Sequence, residues 1–246
     1  MKQFSKWLAL LMAGLLLSAA LLSCDDGYDW SEEEDGDDNE EQSESSSQYK
    51  NLTPEELWDA ILDADEFTFE MVAVRKNGDD AATSTCTVFK DGDLLKCEIV
   101  TKYGEETSTQ TAYFDLKNNL DYEEEDGQWY YSEGKGEEAD LSDLLDDVCP
   151  VDLLFDKDCY EAESENSEYI MLPDAIREEL NAPGEVECEG KMTSKGSVYT
   201  FIFSASDEAH AIEYTITVKF KSDTIKLPDA KPAENEGEAF PDVDEH

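Results

Sequence analysis

Ala211-Ile212-Glu213-Tyr214-Thr215-Ile216-Thr217-Val218-Lys219-Phe220 is the stretch on which the fold class turns. Ile212, Tyr214, Ile216, Val218 and Phe220 alternate with Glu213, Thr215, Thr217 and Lys219, a period of two that puts one side of a strand inward and the other in water. A sheet with one wet face is characteristically antiparallel. Working back from it, residues 185–192 and 198–205 are expected to be strands. His210 falls in the polar loop before the alternating run and is expected to be exposed. Residues 224–227 are expected to form a short last strand.

The amino-terminal half of the domain has the same period. Phe67, Phe69, Met71 and Ala73 alternate with Thr68, Glu70, Val72 and Val74, and Asn77-Gly78-Asp79 ends the strand. Asp91-Gly92 between residues 83–90 and 93–101 is a hairpin signal. Turns at 103–106, 117–119 and 125–127 then separate segments 107–116, 120–123 and 128–131, a β-meander. Ahead of it, Thr53 as N-cap, Pro54 at the first helical position and Glu56 three residues after the cap open a helix with Leu57, Trp58, Ile61 and Leu62 on one face. A short acidic helix is expected near 141–148, ended by Cys149-Pro150, and another after Pro173, stopped by Pro183-Gly184. The class is α+β, with an antiparallel sheet as its frame.

The chain has 246 residues, with 18 Lys+Arg against 63 Asp+Glu, a formal charge of −45. Such a field repels phosphate backbones, so nucleic acid is excluded as a partner. Two histidines leave little for imidazole relays or histidine-based metal sites. No nucleophile elbow, zinc-protease motif, phosphate-binding loop or dinucleotide turn is present, so no enzymatic activity and no cofactor are expected.

At the amino end, Lys2 and Lys6 precede an apolar stretch, 7–17, and a small-and-apolar run, 18–23. This is the tripartite form of a secretory signal. The apolar run 7–22 falls just short of the roughly 17 to 25 residues needed to span a bilayer. Leu21-Leu22-Ser23-Cys24 resembles the lipobox of bacterial lipoproteins. The resemblance implies cleavage before Cys24 and a diacylglycerol on its thiol, hence a membrane anchor on the extracytoplasmic face. Residues 24–48 then carry many Asp, Glu and Ser and no Lys or Arg, a composition that cannot repay its ordering entropy. They are expected to be a disordered acidic tether, with cation binding by its carboxylates as the alternative. The domain is expected over 49–230, and a disordered acidic tail over 231–246.

Without Cys24, five cysteines remain: Cys86, Cys97, Cys149, Cys159 and Cys188. If Asp91-Gly92 fills a two-residue turn, Cys86 and Cys97 stand directly opposite on adjacent strands, within disulfide range. The alternative is two small buried hydrophobes. Cys149 and Cys159 are a weaker candidate pair.

An exported chain with an opening helix, a long meander carrying Gly127-Gln128-Trp129-Tyr130, central helices, returning strands and a terminal Ile225-Lys226-Leu227-Pro228 resembles the LolA-like and LppX/LprG-like lipoprotein carriers. The resemblance covers roughly 52–228. It implies a strongly curved antiparallel half-barrel, with a few helices packed on its concave face and acyl chains held between sheet and helices. On that reading Phe67, Phe69, Met71, Trp129 and Ile216 line a pocket for a lipid or other hydrophobic ligand. An envelope interaction or structural module of the same fold with no small ligand is the competing expectation, and weak divalent-cation binding by carboxylates outside residues 25–48 is a third.

Overall fold

The computed structural model describes residues 48–78, 80–133, 141–146, 148–161, 168–207 and 210–233. The expected signal sequence, Cys24, nearly all of the expected acidic tether and residues 234–246 lie outside these.

Helix α1 (Pro54–Asp63) forms for the reasons its sequence gives. The Thr53 hydroxyl accepts from Glu56 N at 3.3 Å, and the Glu56 carboxylate accepts from Thr53 N at 2.9 Å. Two of the amide donors that a helix start leaves orphaned are thereby satisfied. Leu57 and Ile61, one turn apart, are fully buried. At the other end, the Lys90 ammonium donates to the carbonyl of Ala64, the residue that caps α1.

Strands β1 (Glu66–Asn77), β2 (Asp80–Asp91), β3 (Leu94–Tyr103), β4 (Glu106–Asp115), β5 (Leu120–Glu125) and β6 (Gln128–Glu133) are the expected meander, each antiparallel to the next. Helices α2 (Leu141–Asp146) and α3 (Val151–Phe155), a 3-10 turn (Lys157–Cys159), strand β7 (Tyr169–Ile170) and helix α4 (Pro173–Glu179) follow. Strands β8 (Glu187–Lys195), β9 (Val198–Ser206) and β10 (His210–Lys219) return the chain to the sheet. Pairing of β10 with β1 joins the two meanders into one open sheet, which a two-residue strand β11 (Lys231–Pro232) extends beside β6, in the order β11-β6-β5-β4-β3-β2-β1-β10-β9-β8-β7. The fold is α+β, a mostly antiparallel open sheet with a few helices.

The register assigns the core face. Phe69 stands opposite Val218 and Val88, and Ile216 opposite Met71 and Phe201. Those side chains share one buried cluster with Leu57 and Ile61 of α1, Leu141 and Leu145 of α2, Leu153, Leu154 and Phe155 of α3, and Ile176 of α4. Phe155 stacks on Trp58 at 4.9 Å and meets the Phe201 ring edge-on at 5.6 Å. The Tyr199 hydroxyl accepts from Leu52 N and donates to Tyr49 O, fixing the chain that leads into α1 against the sheet.

Three expectations are corrected. Residues 224–227 form no strand; Ile225 is held instead by its N–H donating to the Asp91 carboxylate, 2.9 Å away. The last strand is β11 (Lys231–Pro232), which runs parallel to β6, so the first residues of the expected tail are paired. The β2–β3 loop is Gly92-Asp93, one position later than expected, because Gly92 takes the left-handed backbone (φ +59) at the first loop position. Asp91 therefore pairs with Leu94.

Candidate functional site

Of the five expected pocket residues, four share the core face. Phe67 and Ile216 are 0% exposed and Phe69 1%, while Met71 is partly buried against the same cluster. The fully buried three belong to the cluster to which helices α1–α4 also contribute side chains.

Trp129 is on the other face. It stands opposite Glu124, two residues on from the Tyr122–Tyr131 pair, and Tyr122 is paired in turn with Tyr113. Period-two alternation puts all four rings on the side of the sheet away from Ala112 and Phe114, which are buried in the core. Trp129 meets Tyr113 edge-on at 5.2 Å, and Tyr122 and Tyr131 are 6.0 Å apart. Pairing extends this outer row from Phe89 through Lys96, Tyr113, Tyr122 and Tyr131 to Pro232, with the Lys96 ammonium 5.2 Å from the Phe89 ring centroid. Cross-strand aromatic pairs of this kind stabilise a sheet without any ligand.

The later turn also changes the cysteine geometry. Cys86 pairs with Ile99 and Cys97 with Val88, so the two cysteines are diagonal neighbours on the core face and not directly opposite. Their sulfurs are 4.0 Å apart and both thiols are free. Diagonal positions are about 7–8 Å apart along the backbone, at or beyond the roughly 7 Å over which a disulfide closes without backbone movement. The hydrogen bond with Cys86, together with burial, pushes the Cys97 thiol well up. Cys149 donates to Leu145 O and Cys159 to Asp152 O. His210 is exposed, as expected, with its ring nitrogen 3.3 Å from the Asp207 carboxylate. Among the described residues no group of three His, Cys, Asp or Glu side chains stands in metal-binding geometry. Nor is any helix there long and apolar enough to cross a membrane.

A feature with no counterpart in the sequence reading lies beside β8. Just past the end of helix α4, Asn181 takes the left-handed conformation (φ +48), with Ala182 N donating back to Arg177 O and Val186 N to Pro183 O. This return lays residues 184–186 along the Arg177 side chain and leaves a cleft of about 540 Å³. Arg177, Gly184, Glu185, Val186, Glu187, Cys188, Glu189, Ser204 and Ser206 line it. Arg177 pairs with Asp174 through Nη1 and donates to Val186 O through Nη2 at 3.4 Å, but its buried Nε–H has no partner among the described residues. A buried, unmatched donor costs about 1–3 kcal/mol and calls for an acceptor. Burial pushes the Cys188 thiol up, against the opposing pull of the Arg177 charge.

The fold and its surfaces define an open antiparallel-sheet domain whose helices fill one face, with a polar cleft at one edge. No protein-family model matches the chain, and no curated protein matches it in sequence.

Proposed function

We propose that the protein is a lipid-anchored lipoprotein of the cell envelope, held on the extracytoplasmic face by acylated Cys24, whose domain is a non-enzymatic binding module. The anchor rests on Leu21-Leu22-Ser23-Cys24 behind a tripartite leader. Two acyl chains, at about 0.8 kcal/mol per buried CH₂, hold firmly where one is marginal. The acidic stretch after Cys24 acts as a spacer, extended by its own repulsion. In this reading the domain is LolA-like, with the sheet strongly curved into a half-barrel around the helices on its concave face.

The observation that carries the binding-module reading is the burial of Phe67, Phe69 and Ile216 in the cluster that helices α1–α4 share, which leaves those residues nothing to offer a ligand. Recognition then falls to the outer surface and the sheet edges, and the partner is an envelope protein. A second reading, carriage of a lipid or other hydrophobic ligand between sheet and helices, is favoured by the convergence of Phe67, Phe69, Met71 and Ile216 on one face. It requires the short helices α2, α3 and α4 to move off that face.

Metabolic labelling with a clickable fatty acid tests the anchor: label is expected on the wild type and absent from Cys24→Ser. Label retained by Cys24→Ser contradicts the assignment. Lipid analysis of protein extracted under native conditions separates the two readings, since a stoichiometric bound lipid overturns the first.

A further inference from the structure

We propose that the edge of β8 that the described residues leave uncovered is a docking site for an extended, basic peptide segment, which adds as a strand beside Val186–Gly190. This rests on the binding-module reading and names the chemistry of its partner.

The sheet itself indicates the lane. Strand β7 runs antiparallel along β8, with Tyr169 opposite Met192 and Ile170 opposite Lys191. One step further, Met171 N donates to Gly190 O at 2.9 Å. In an antiparallel ladder the groups facing one neighbour recur every second residue. Cys188 therefore presents its N–H and C=O to the side on which Gly190 meets Met171. Continued register would put Pro173 opposite Cys188, and proline has no N–H to give. The chain leaves the lane there, as Leu172 N turns to Cys159 O and Pro173 starts α4. Further along, Val186 O faces the same side and is met by two long contacts, from Arg177 Nη2 at 3.4 Å and from the Cys188 thiol at 3.8 Å.

Two further observations specify the occupant. Arg177 lines this space, and its guanidinium, which reaches Val186 O only at 3.4 Å through Nη2, can donate to the carbonyl of an added strand. Glu185, Glu187 and Glu189 also belong to the lining, against Arg177 as its single cation. An acidic segment is repelled, the chain's own acidic tether and tail included. A segment with Lys or Arg on alternate residues places backbone carbonyls toward Arg177 and ammonium or guanidinium groups toward the carboxylates. Strand addition draws affinity from main-chain hydrogen bonds and specificity from alternate side chains. An exposed edge of this kind is one that proteins otherwise cover or block.

The test uses the full-length protein and a synthetic ten-residue peptide alternating lysine and valine, against the same peptide with glutamate for lysine. Cys188 lines the cleft, so its alkylation rate and the hydrogen exchange of amides 185–190 report on this place and not on the acidic surface at large. The lysine peptide is expected to slow Cys188 alkylation at least fivefold and to protect the Cys188 amide; the glutamate peptide is expected to do neither. Arg177→Gln is expected to weaken this protection about tenfold. Should that variant fold poorly, the exposed pair Glu187→Lys and Glu189→Lys reports the same loss. Binding without protection at β8, or protection unchanged in these variants, overturns the proposal. Acyl labelling at Cys24 is independent of either outcome, so failure here is distinguishable from failure of the anchor.

Discussion

The centre of the sheet and its β8 edge are built from similar strands and solve the same problem differently. Across β1, β10 and β9 the core-face side chains meet α1 and α3, and even the Tyr199 hydroxyl is used twice. At β8 a glycine stands where a side chain would be expected. A Cβ on Gly190 would lie 2.7 Å from Phe203 Cβ, 2.9 Å from Ile176 Cδ1 and 2.9 Å from Met171 Sδ. That close approach brings α4 down onto β8 and sets Arg177 beside the strand edge. Closure at the centre leaves side chains that only support the fold, whereas the tight contact at Gly190 is followed, a few residues away, by an unfilled cleft and an unmatched donor.

Phe201 is fully buried between Ile216 and Phe155, so Phe201→Ala is expected to cost about 3–5 kcal/mol in a urea melt. A cost below 1 kcal/mol would mean the centre is not closed. Gly190→Val is expected next, at about 1–3 kcal/mol from overpacking, with slower refolding not required and a lowered Tm as the readout. Thr53→Ala removes the α1 cap and is expected to cost about 1 kcal/mol. Arg177→Gln is expected to stay within about 0.5 kcal/mol of wild type, because it loses an exposed ion pair and also the unmatched donor.

The pH dependence at α4 sharpens the contrast further. Partial burial, and then the Asp152 charge, raise the Glu179 carboxyl above its ordinary value. A raised carboxyl binds its proton more readily in the folded protein. Its contribution is therefore fully present below the ordinary glutamate range and is lost as pH rises through the raised value. Glu179→Gln is expected to melt higher than wild type near neutrality, and the gap is expected to close as pH falls below about 4. A gap that widens on acidification would reverse the assignment.

Where the sequence alternates over a long run, as in β1 and β10, the fold was legible from it, and so was the α1 start with its reciprocal Thr53–Glu56 cap. The β2–β3 register was not. Moving the two-residue loop by one position shifts the partners by two, so both alternatives bury the same side chains and the hydrophobic pattern cannot choose between them. For this reason Cys86 and Cys97 were expected in direct opposition and are diagonal instead. In Gln128-Trp129-Tyr130-Tyr131 there is no alternation to assign a face, and only the pairing of Tyr131 with Tyr122 puts Trp129 on the outer side. Helix α3 and strands β7 and β11 are five, two and two residues long, too short to show a period. The β8 cleft depends on where Pro173 diverts the chain from the sheet edge, a long-range consequence that no local spacing reveals.

Native mass spectrometry of the full-length protein, extracted from membranes in mild detergent, tests the central claim most directly. The expected species is a single polypeptide beginning at Cys24, heavier by a covalent diacylglycerol-type modification and carrying no additional lipid. An unmodified mature chain would contradict the anchor, and a stoichiometric non-covalent lipid would contradict the closed interior.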